Sequence, residues 1–200
     1  MQIQIDPEFQ ALIPPLSAEE KQQLEANIVE DGCRDPLVVW GEILIDGHNR
    51  YEICTRLGLP FETVVKEFDS RVHARIWMRQ LQRGRRNLSD GWLIELALGD
   101  KADLLLIGAA IRKETEGRPS KESVVTNDSR LPKHDTRKEV AKAAGVSTGQ
   151  VAKAEIVKRE APDLWEKAKA QELTIGAAYT QIKKVEKQQA REAAIAVQTQ

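Results

Sequence analysis

The chain is poor in the residues that build covalent or metal-linked scaffolds. Its 200 residues include only two cysteines and three histidines. Cys33 and Cys54 show no metal-ligand spacing, and no two histidines do either, so the sequence predicts no metal site. The two thiols are expected to be reduced and structural, which favours an intracellular protein.

Long apolar runs are also missing. No stretch approaches the roughly 20 apolar residues that a membrane helix needs, and the N-terminus lacks the basic-then-apolar pattern of a signal peptide. No Ser-His-Asp or Cys-His arrangement for nucleophilic catalysis is legible. We therefore expect a cytoplasmic protein with no membrane partner.

Charge is unevenly distributed along the chain, although the net charge is only −1. Residues 1–70 carry 14 acidic and 5 basic side chains, a balance of −9, while residues 71–200 carry 17 acidic and 25 basic ones, a balance of +8. This asymmetry indicates that a nucleic acid would meet the back half. A merely solvated basic surface is the alternative.

Hydrophobic patterning predicts an α+β chain: a small α/β domain followed by an all-helical domain. The front part combines a capped helix at 18–30, strands at 37–40, 43–45 and 63–68, and a helix at 49–57. Beyond it only helices are convincing, ending at Leu81, at Leu98 and near Thr115. The predicted division is an α/β domain at 1–70, a helical extension at 71–115, a linker or long loop at 116–135 carrying the domain boundary, and a helical domain at 136–200.

Gly47 lies where the second apolar strand passes directly into a helix-like stretch. Glycine at such a turn lets a ligand approach the backbone, and the first amides of the helix favour an anion such as phosphate. Side-chain donors at this point are His48, Asn49 and Arg50. The sequence predicts a phosphate-binding turn, with simple relief of backbone strain as the alternative.

Arginines recur every fourth residue from Arg71 to Arg83, and no acidic residue lies between 71 and 86. On a helix this spacing forms one basic stripe, because residues i and i+4 share a face. Like charges so placed oppose the helix by a few tenths of a kcal/mol per pair. We expect a counter-charge there: phosphates, DNA or the acidic front domain.

Residues 136–157 have the pattern of a helix-turn-helix. Thr136 precedes a first helix to Ala144, the turn is at 145–147, and a second helix runs from Thr148 to Val157. Apolar positions expected to pack the two helices are Val140, Ala144, Val146, Val151 and Ile156. The predicted DNA contacts are Ser147, Thr148, Gln150, Lys153 and Lys158, with Gln150 suited to an adenine edge. A helical hairpin used only for packing is the alternative.

The turn at Gly47 resembles the phosphate box of the ParB/sulfiredoxin-like fold, in which a strand leads into Gly-Glu-Arg-Arg or Gly-Cys-His-Arg. Gly47, Arg50 and Tyr51 match both versions. Residues 161–165 and 171–178 resemble the segment that follows the helix-turn-helix in ParB-type proteins. The resemblance to the ParB-like partition and DNA-binding family therefore covers both halves in the expected order.

The family's second box, Glu-Asn-x-x-Arg, aligns on Leu81, Gln82 and Arg85. In the family these residues help to hold a triphosphate, and the Glu is linked to hydrolysis; leucine can neither orient a water nor hold Mg²⁺. The resemblance implies a nucleoside triphosphate ligand (CTP or ATP, with Mg²⁺), and binding is favoured over turnover. The implied nucleotide-binding residues are Gly47, His48, Asn49, Arg50, Gln82 and Arg85.

The first box departs from the family pattern. His48 replaces the Glu, Asn49 the first Arg and Glu52 the last, so CTP specificity does not follow. His48 also stands where sulfiredoxin has its reactive cysteine, which argues against sulfinic-acid reductase activity.

The leading functional hypothesis is a nucleotide-regulated, ParB-like DNA-binding protein in plasmid or mobile-element partition or in transcription control. Its partner would be double-stranded DNA, and residues 185–200 would extend the last helix as the arm of a homodimer. The rival is an NTP-dependent phosphotransferase or nuclease using His48 and Glu52 as catalytic acid–base groups. A partner-binding scaffold is the third reading.

Overall fold

The computed structural model describes residues 3–85, 88–116 and 136–198. The chain divides into two compact units, residues 1–86 and residues 87–200. Each unit has its own buried cluster of apolar side chains, and each is described by itself below.

The first unit is an α/β structure. Its elements in chain order are α1 (Pro7–Gln10), α2 (Ala18–Asp31), β1 (Leu37–Trp40), β2 (Ile43–Asp46), α3 (His48–Leu57), β3 (Thr63–Val65) and α4 (Arg71–Arg85). The sheet order is β2-β1-β3, with β1 antiparallel to β2 and parallel to β3. The hairpin between β1 and β2 is irregular between Val38 and Val39.

Two helices of this unit begin as their sequences predict. Ser17 caps α2 by accepting from the Glu20 amide at 3.1 Å, while the Glu20 carboxylate accepts from the Ser17 amide at 2.8 Å. This reciprocal pair satisfies two amides that the helix itself leaves unpaired. Gly47 precedes α3, and Gly58 ends it in a left-handed conformation.

Helix α4 packs on strand β2 and thereby comes close to the Gly47 turn. Its buried side chains Ala74 and Met78, one helical turn apart, form a cluster with Phe9 and Ile45. Gln82 lies one further turn along α4 and is also buried, with 4 % of its surface exposed. The hydrophobic contact of α4 with the sheet therefore places Gln82 beside the end of β2.

The second unit is helical throughout the residues that the structure describes. Its elements are α5 (Asp90–Glu116), α6 (Thr136–Ala144), α7 (Thr148–Glu160), α8 (Pro162–Lys169) and α9 (Ile175–Gln198). A single cluster joins all five helices, including Ile94, Val140, Val151, Trp165 and Ala178. The predicted fold class, a small α/β domain followed by an all-helical one, is confirmed.

Several predicted boundaries differ from the structure. Helix α5 is continuous where two helices were expected, ending at Leu98 and beginning again at Lys101. One glycine costs a helix only about 1 kcal/mol relative to alanine, and burial of Ile94 and Ala97 outweighs this. Strand β3 stops at Val65, which pairs with Val39 of β1, rather than at residue 68. Phe68 packs edge-on against Trp40, with ring centres 5.9 Å apart.

The predicted domain boundary was at 116–135, and residues 117–135 of it lie outside the described residues. The two compact units are residues 1–86 and residues 87–200, and α5 packs against α6, α7 and α8 within the second one. Helix α4 belongs to the first unit through its contact with β2. In α7, Ala154 and Val157 enter the core, and Ile156 is only half-buried, contrary to prediction.

Candidate functional site

Gly47 turns the chain from the end of β2 into the start of α3. Its φ of 95° and ψ of 22° lie in the left-handed region, which favours glycine. The Tyr51 amide donates to the Gly47 carbonyl at 2.8 Å, so the helix begins immediately after this residue. No side chain caps the first turn of α3, which leaves its leading amides available to an anion.

The space around Gly47 imposes a second requirement for glycine. A Cβ atom here would lie 2.5 Å from Leu37 Cδ2 and 3.1 Å from Arg50 Nη2. The first distance is well inside van der Waals contact, and Leu37 is fully buried. The turn is therefore held by both its backbone conformation and its close packing on β1.

A cleft of about 320 Å³ opens at this turn. Part of its polar lining comes from the turn itself and from Gln82 of α4, which the sequence places more than 30 residues away. The remaining lining is supplied by α2 and the segment before it: Ile13, Leu16, Glu20 and Leu24. The fold thus joins the two segments that the sequence had identified separately.

His48 is the most unusual side chain of the cleft. It is the first residue of α3, only 7 % of its surface is exposed, and neither ring nitrogen has a hydrogen-bond partner. Burial lowers the pKa of His48 to about 4, while the nearby charge of Asp46 acts in the opposite direction. The ring is therefore neutral at neutral pH, with one nitrogen able to donate and the other to accept.

Arg50 lines the cleft, but its guanidinium group also serves the structure. Nη2 donates to Asp46 Oδ2 at 3.3 Å and to the Pro36 carbonyl at 3.3 Å, and only 17 % of the side chain is exposed. These contacts link the helix to the strand ends on both sides of the turn. In this arrangement Arg50 braces the turn, whereas the sequence had suggested a direct phosphate donor.

Of the other predicted residues, Asn49 lines the cleft and Glu52 does not. The Glu52 carboxylate is 2.8 Å from Lys21 Nζ and is 51 % exposed. The side chain of Arg85 lies outside the described residues. Glu20 was missed as a lining residue, because its only sequence signal is the capping box.

The arginine stripe of α4 is partly neutralised within the first unit. Arg71 donates to Asp6 at 2.7 Å and to Glu8 at 2.5 Å, and Arg75 also pairs with Glu8. Hydrogen bonds from Arg71 lower the pKa of both Asp6 and Glu8. The acidic front segment is thus the counter-charge for the first half of the stripe.

In the second half of the stripe, Arg79 is buried and Arg83 is half-buried. Arg79 is 6 % exposed. The pKa of Arg83 is lowered by burial and by the neighbouring charge of Arg79. These two like charges lie together on the last turns of α4, the helix that carries Gln82.

Helices α6 and α7 are joined by a tight turn with Gly145 in the left-handed region, at a φ of 69°. Ser147 caps α7 and accepts from the Gln150 amide at 3.2 Å. Ser147 and Thr148 are both exposed at the start of α7. The predicted turn and both helices are present, and α7 continues past the expected Val157 to Glu160.

The remaining predicted DNA contacts differ in availability. Gln150 uses its Oε1 on the Ser147 amide and its Nε2 on Asp90 at 3.0 Å, so its amide must be released before it can reach a base. Lys158 forms an ion pair with Glu95 at 3.0 Å. Lys153 is exposed, with Nζ 6.0 Å from the centre of the Tyr179 ring.

Two negative findings hold for residues 3–85, 88–116 and 136–198. No cluster of three or more Asp, Glu, His or Cys side chains is placed to hold a metal ion. No helix in these ranges has the length and apolar character needed to cross a membrane.

Comparison with known proteins gives a fold but no close relative. No protein-family model matches the chain, and no curated protein matches it. A solved structure of a Pnob8-like ParB-N domain matches with a TM-score of 0.59 and 20 % sequence identity, covering 96 % of this chain and 80 % of that one. The chain therefore has a ParB-N-like fold, which confirms the fold part of the resemblance found in the sequence.

Two structures of the C-terminally truncated chromosome-partitioning protein ParB from Caulobacter crescentus also match. One is complexed with CTP-gamma-S (TM-score 0.37, 18 % identity, 89 % of this chain and 86 % of that one). The other is complexed with the centromeric parS site (TM-score 0.41, 18 % identity, 88 % and 79 %). Similarities of this size carry no argument about this chain.

Proposed function

We propose that the protein is a ParB-like DNA-binding protein whose first unit binds the phosphates of a nucleoside triphosphate. The observation that carries the proposal is the meeting of the Gly47 turn and Gln82 in one cleft. The family resemblance assigns both segments to triphosphate binding on the basis of motif alone. Their convergence is independent of that resemblance, because it follows from the packing of α4 on β2.

The chemistry of the cleft suits a phosphate. The uncapped amides of α3 supply donors together with the positive end of the helix dipole. Neutral donors come from Asn49, Gln82 and the His48 ring, all lining the cleft. Mg²⁺ would be carried by the phosphates themselves, because ATP-type ligands bring their own oxygen ligands.

Binding is proposed in preference to turnover. The rival enzymatic function needs His48 and Glu52 to act on the same ligand, and Glu52 is exposed and paired with Lys21 outside the cleft. Asp46 lines the cleft, but its carboxylate is engaged by Arg50 at 3.3 Å. We therefore favour binding over phosphotransfer or nuclease chemistry, because the carboxylates of Glu52 and Asp46 are both engaged by other side chains.

The second unit is proposed to bind duplex DNA through a helix-turn-helix formed by α6 and α7. Its exposed residues at the start of α7 are Ser147, Thr148 and, one turn later, Lys153. The positive end of the α7 dipole favours phosphate contact at the same place. The role would be partition of a bacterial plasmid or mobile element, or transcription control, with a homodimer joined through the end of α9.

Nucleotide binding is tested by thermal shift with a panel of triphosphates, with and without DNA. A ligand that binds only the folded state raises the melting temperature by mass action. Gln82→Ala should abolish the shift, whereas Gln80→Ala should retain it, because Gln80 is exposed on the same helix and does not line the cleft. Equal shifts in the two variants would exclude the cleft as the binding site.

DNA binding is tested by titration of duplexes between about 50 and 200 mM salt, where affinity should fall steeply if several phosphates are contacted. Lys153→Gln should weaken binding to all sequences and reduce the salt slope by about 1. Lys167→Gln, an exposed lysine on α8, is the matched control. Salt-insensitive binding, or none to a duplex library, contradicts the proposal.

A further inference from the structure

The buried imidazole of His48 makes no hydrogen bond to any neighbouring residue. Neither Nδ1 nor Nε2 makes a hydrogen bond, although 93 % of the residue's surface is covered. Buried polar groups are normally paired, because an unpaired one loses its bonds to water without replacement. The ring lies beside the uncapped amides of α3, so its missing hydrogen-bond partner is expected to be an atom of a bound ligand.

The charged groups that line the same cleft come from three elements. They are Asp46 at the end of β2, Glu20 of α2 and Arg50 of α3, while α4 contributes the uncharged Gln82. Arg50 and Asp46 are bound to each other at 3.3 Å, and the Glu20 carboxylate accepts from the Ser17 amide at 2.8 Å. His48 is therefore the cleft residue best able to change its charge when an anion enters.

We propose that His48 makes ligand binding proton-linked: a phosphate group bound at the start of α3 accepts a hydrogen bond from the His48 ring, which takes up a proton as the ligand binds. The inference rests on the proposed nucleotide cleft and adds a regulation to it. The family's box has a glutamate at this position, so the property belongs to this chain's own substitution.

The direction of the effect follows from electrostatics. A phosphate within hydrogen-bond reach favours the charged imidazolium and raises the His48 pKa from its ligand-free value of about 4. Between the free and the bound pKa, each binding event takes up one proton. Affinity then rises by up to about tenfold for each unit by which the pH falls, and this gain stops below the free pKa.

The test is isothermal titration calorimetry of the full chain with inorganic tripolyphosphate, in buffers of different ionisation enthalpy between about pH 5.5 and 7.5. The dependence of the apparent enthalpy on the buffer gives the number of protons taken up. Tripolyphosphate itself titrates in this range, and it does so equally with every variant. The difference between the wild type and His48→Gln therefore isolates the ring, because glutamine keeps a donor and cannot be protonated.

We expect the wild type to take up more protons than His48→Gln, by up to one per ligand. His73→Gln should match the wild type, because His73 is exposed on α4 and bonds to Ser70 at 2.9 Å. Equal proton numbers for the wild type and His48→Gln overturn this inference alone. Failure of the wild type to bind tripolyphosphate at any pH overturns the nucleotide cleft and this inference with it.

A second measurement uses the wild type only and so does not depend on folding of the variant. The His48 ring resonances are followed by NMR as a function of pH, with and without tripolyphosphate. A higher apparent pKa in the complex supports the proposal. An unchanged pKa in the saturated complex overturns it.

Discussion

Replacing Gly47 with alanine separates the two demands that the structure places on this residue. The first demand is conformational, since a φ of 95° forces an L-residue into the left-handed region at a cost of about 1–2 kcal/mol. The second is steric, since the new Cβ would lie 2.5 Å from the buried Leu37 Cδ2. Overpacking of this kind costs about 1–3 kcal/mol more. We expect Gly47→Ala to lower the free energy of unfolding of the first unit by about 2–5 kcal/mol.

Gly58→Ala is the matched control, because it lies at the other end of the same helix. Its φ of 67° is also left-handed, and a Cβ there would meet nothing within 4 Å. It should therefore cost only the conformational part, about 1–2 kcal/mol. The difference between the two variants measures the close packing of the turn on β1.

Hydrogen exchange across a urea series measures the effect in each unit separately. Peptides from β1 to α3 report on the first unit, and peptides from α9 report on the second as an internal reference. We expect protection to fall in the first set, further for Gly47→Ala than for Gly58→Ala, with α9 unchanged. If the two variants are equally destabilised, the argument that Leu37 and Arg50 pack against the turn is refuted.

The remaining predictions concern the rest of the fold. Hydrogen bonds from Arg71 lower the pKa of Asp6 and Glu8, so their stabilising effect is complete above the ordinary values of 3.8 and 4.5 and is lost as the pH falls below them. In a circular-dichroism titration, Arg71→Gln should therefore reduce the pH dependence of stability at acid pH. An acid-unfolding curve equal to that of the wild type contradicts this. Gly91→Ala should destabilise the second unit by about 1–3 kcal/mol, because its Cβ would lie 3.1 Å from the α8 backbone. Gly176→Ala, with open space around it, should instead stabilise α9 by up to about 1 kcal/mol in thermal unfolding.

Much of the fold was predictable because it depends on local chemistry. The cap of α2 was recognised from Ser17 and Glu20, since a cap is formed by residues three positions apart. Gly47 and Gly145 were placed at turns, since only a few residue types tolerate a positive φ. Local signals failed at α5. The glycine between Leu98 and Lys101 suggests a break, but burial of the helix outweighs its cost and the helix continues.

The candidate site was predictable only in part. The motif identified Gly47 and Gln82 and assigned Arg50 to a phosphate, whereas in the structure the Arg50 guanidinium group donates to Asp46 and to the Pro36 carbonyl. The rival enzymatic hypothesis used Glu52, whose carboxylate is paired with Lys21 on α2 in the structure. Which ion pairs form depends on which helices and strands become neighbours in the fold. The sequence pattern of a single segment does not contain that information.

The sequence by itself determined the fold class, the turn glycines and the ParB-like motif, because caps, periodicity and backbone conformation are set by residues a few positions apart. Only the tertiary structure decided that Gln82 reaches the Gly47 turn and that Asp6 and Glu8 neutralise Arg71. It also decided that His48 is buried without a partner. These outcomes arise from packing between segments that are distant in the sequence, because that packing determines both which side chains are buried and which charges are paired.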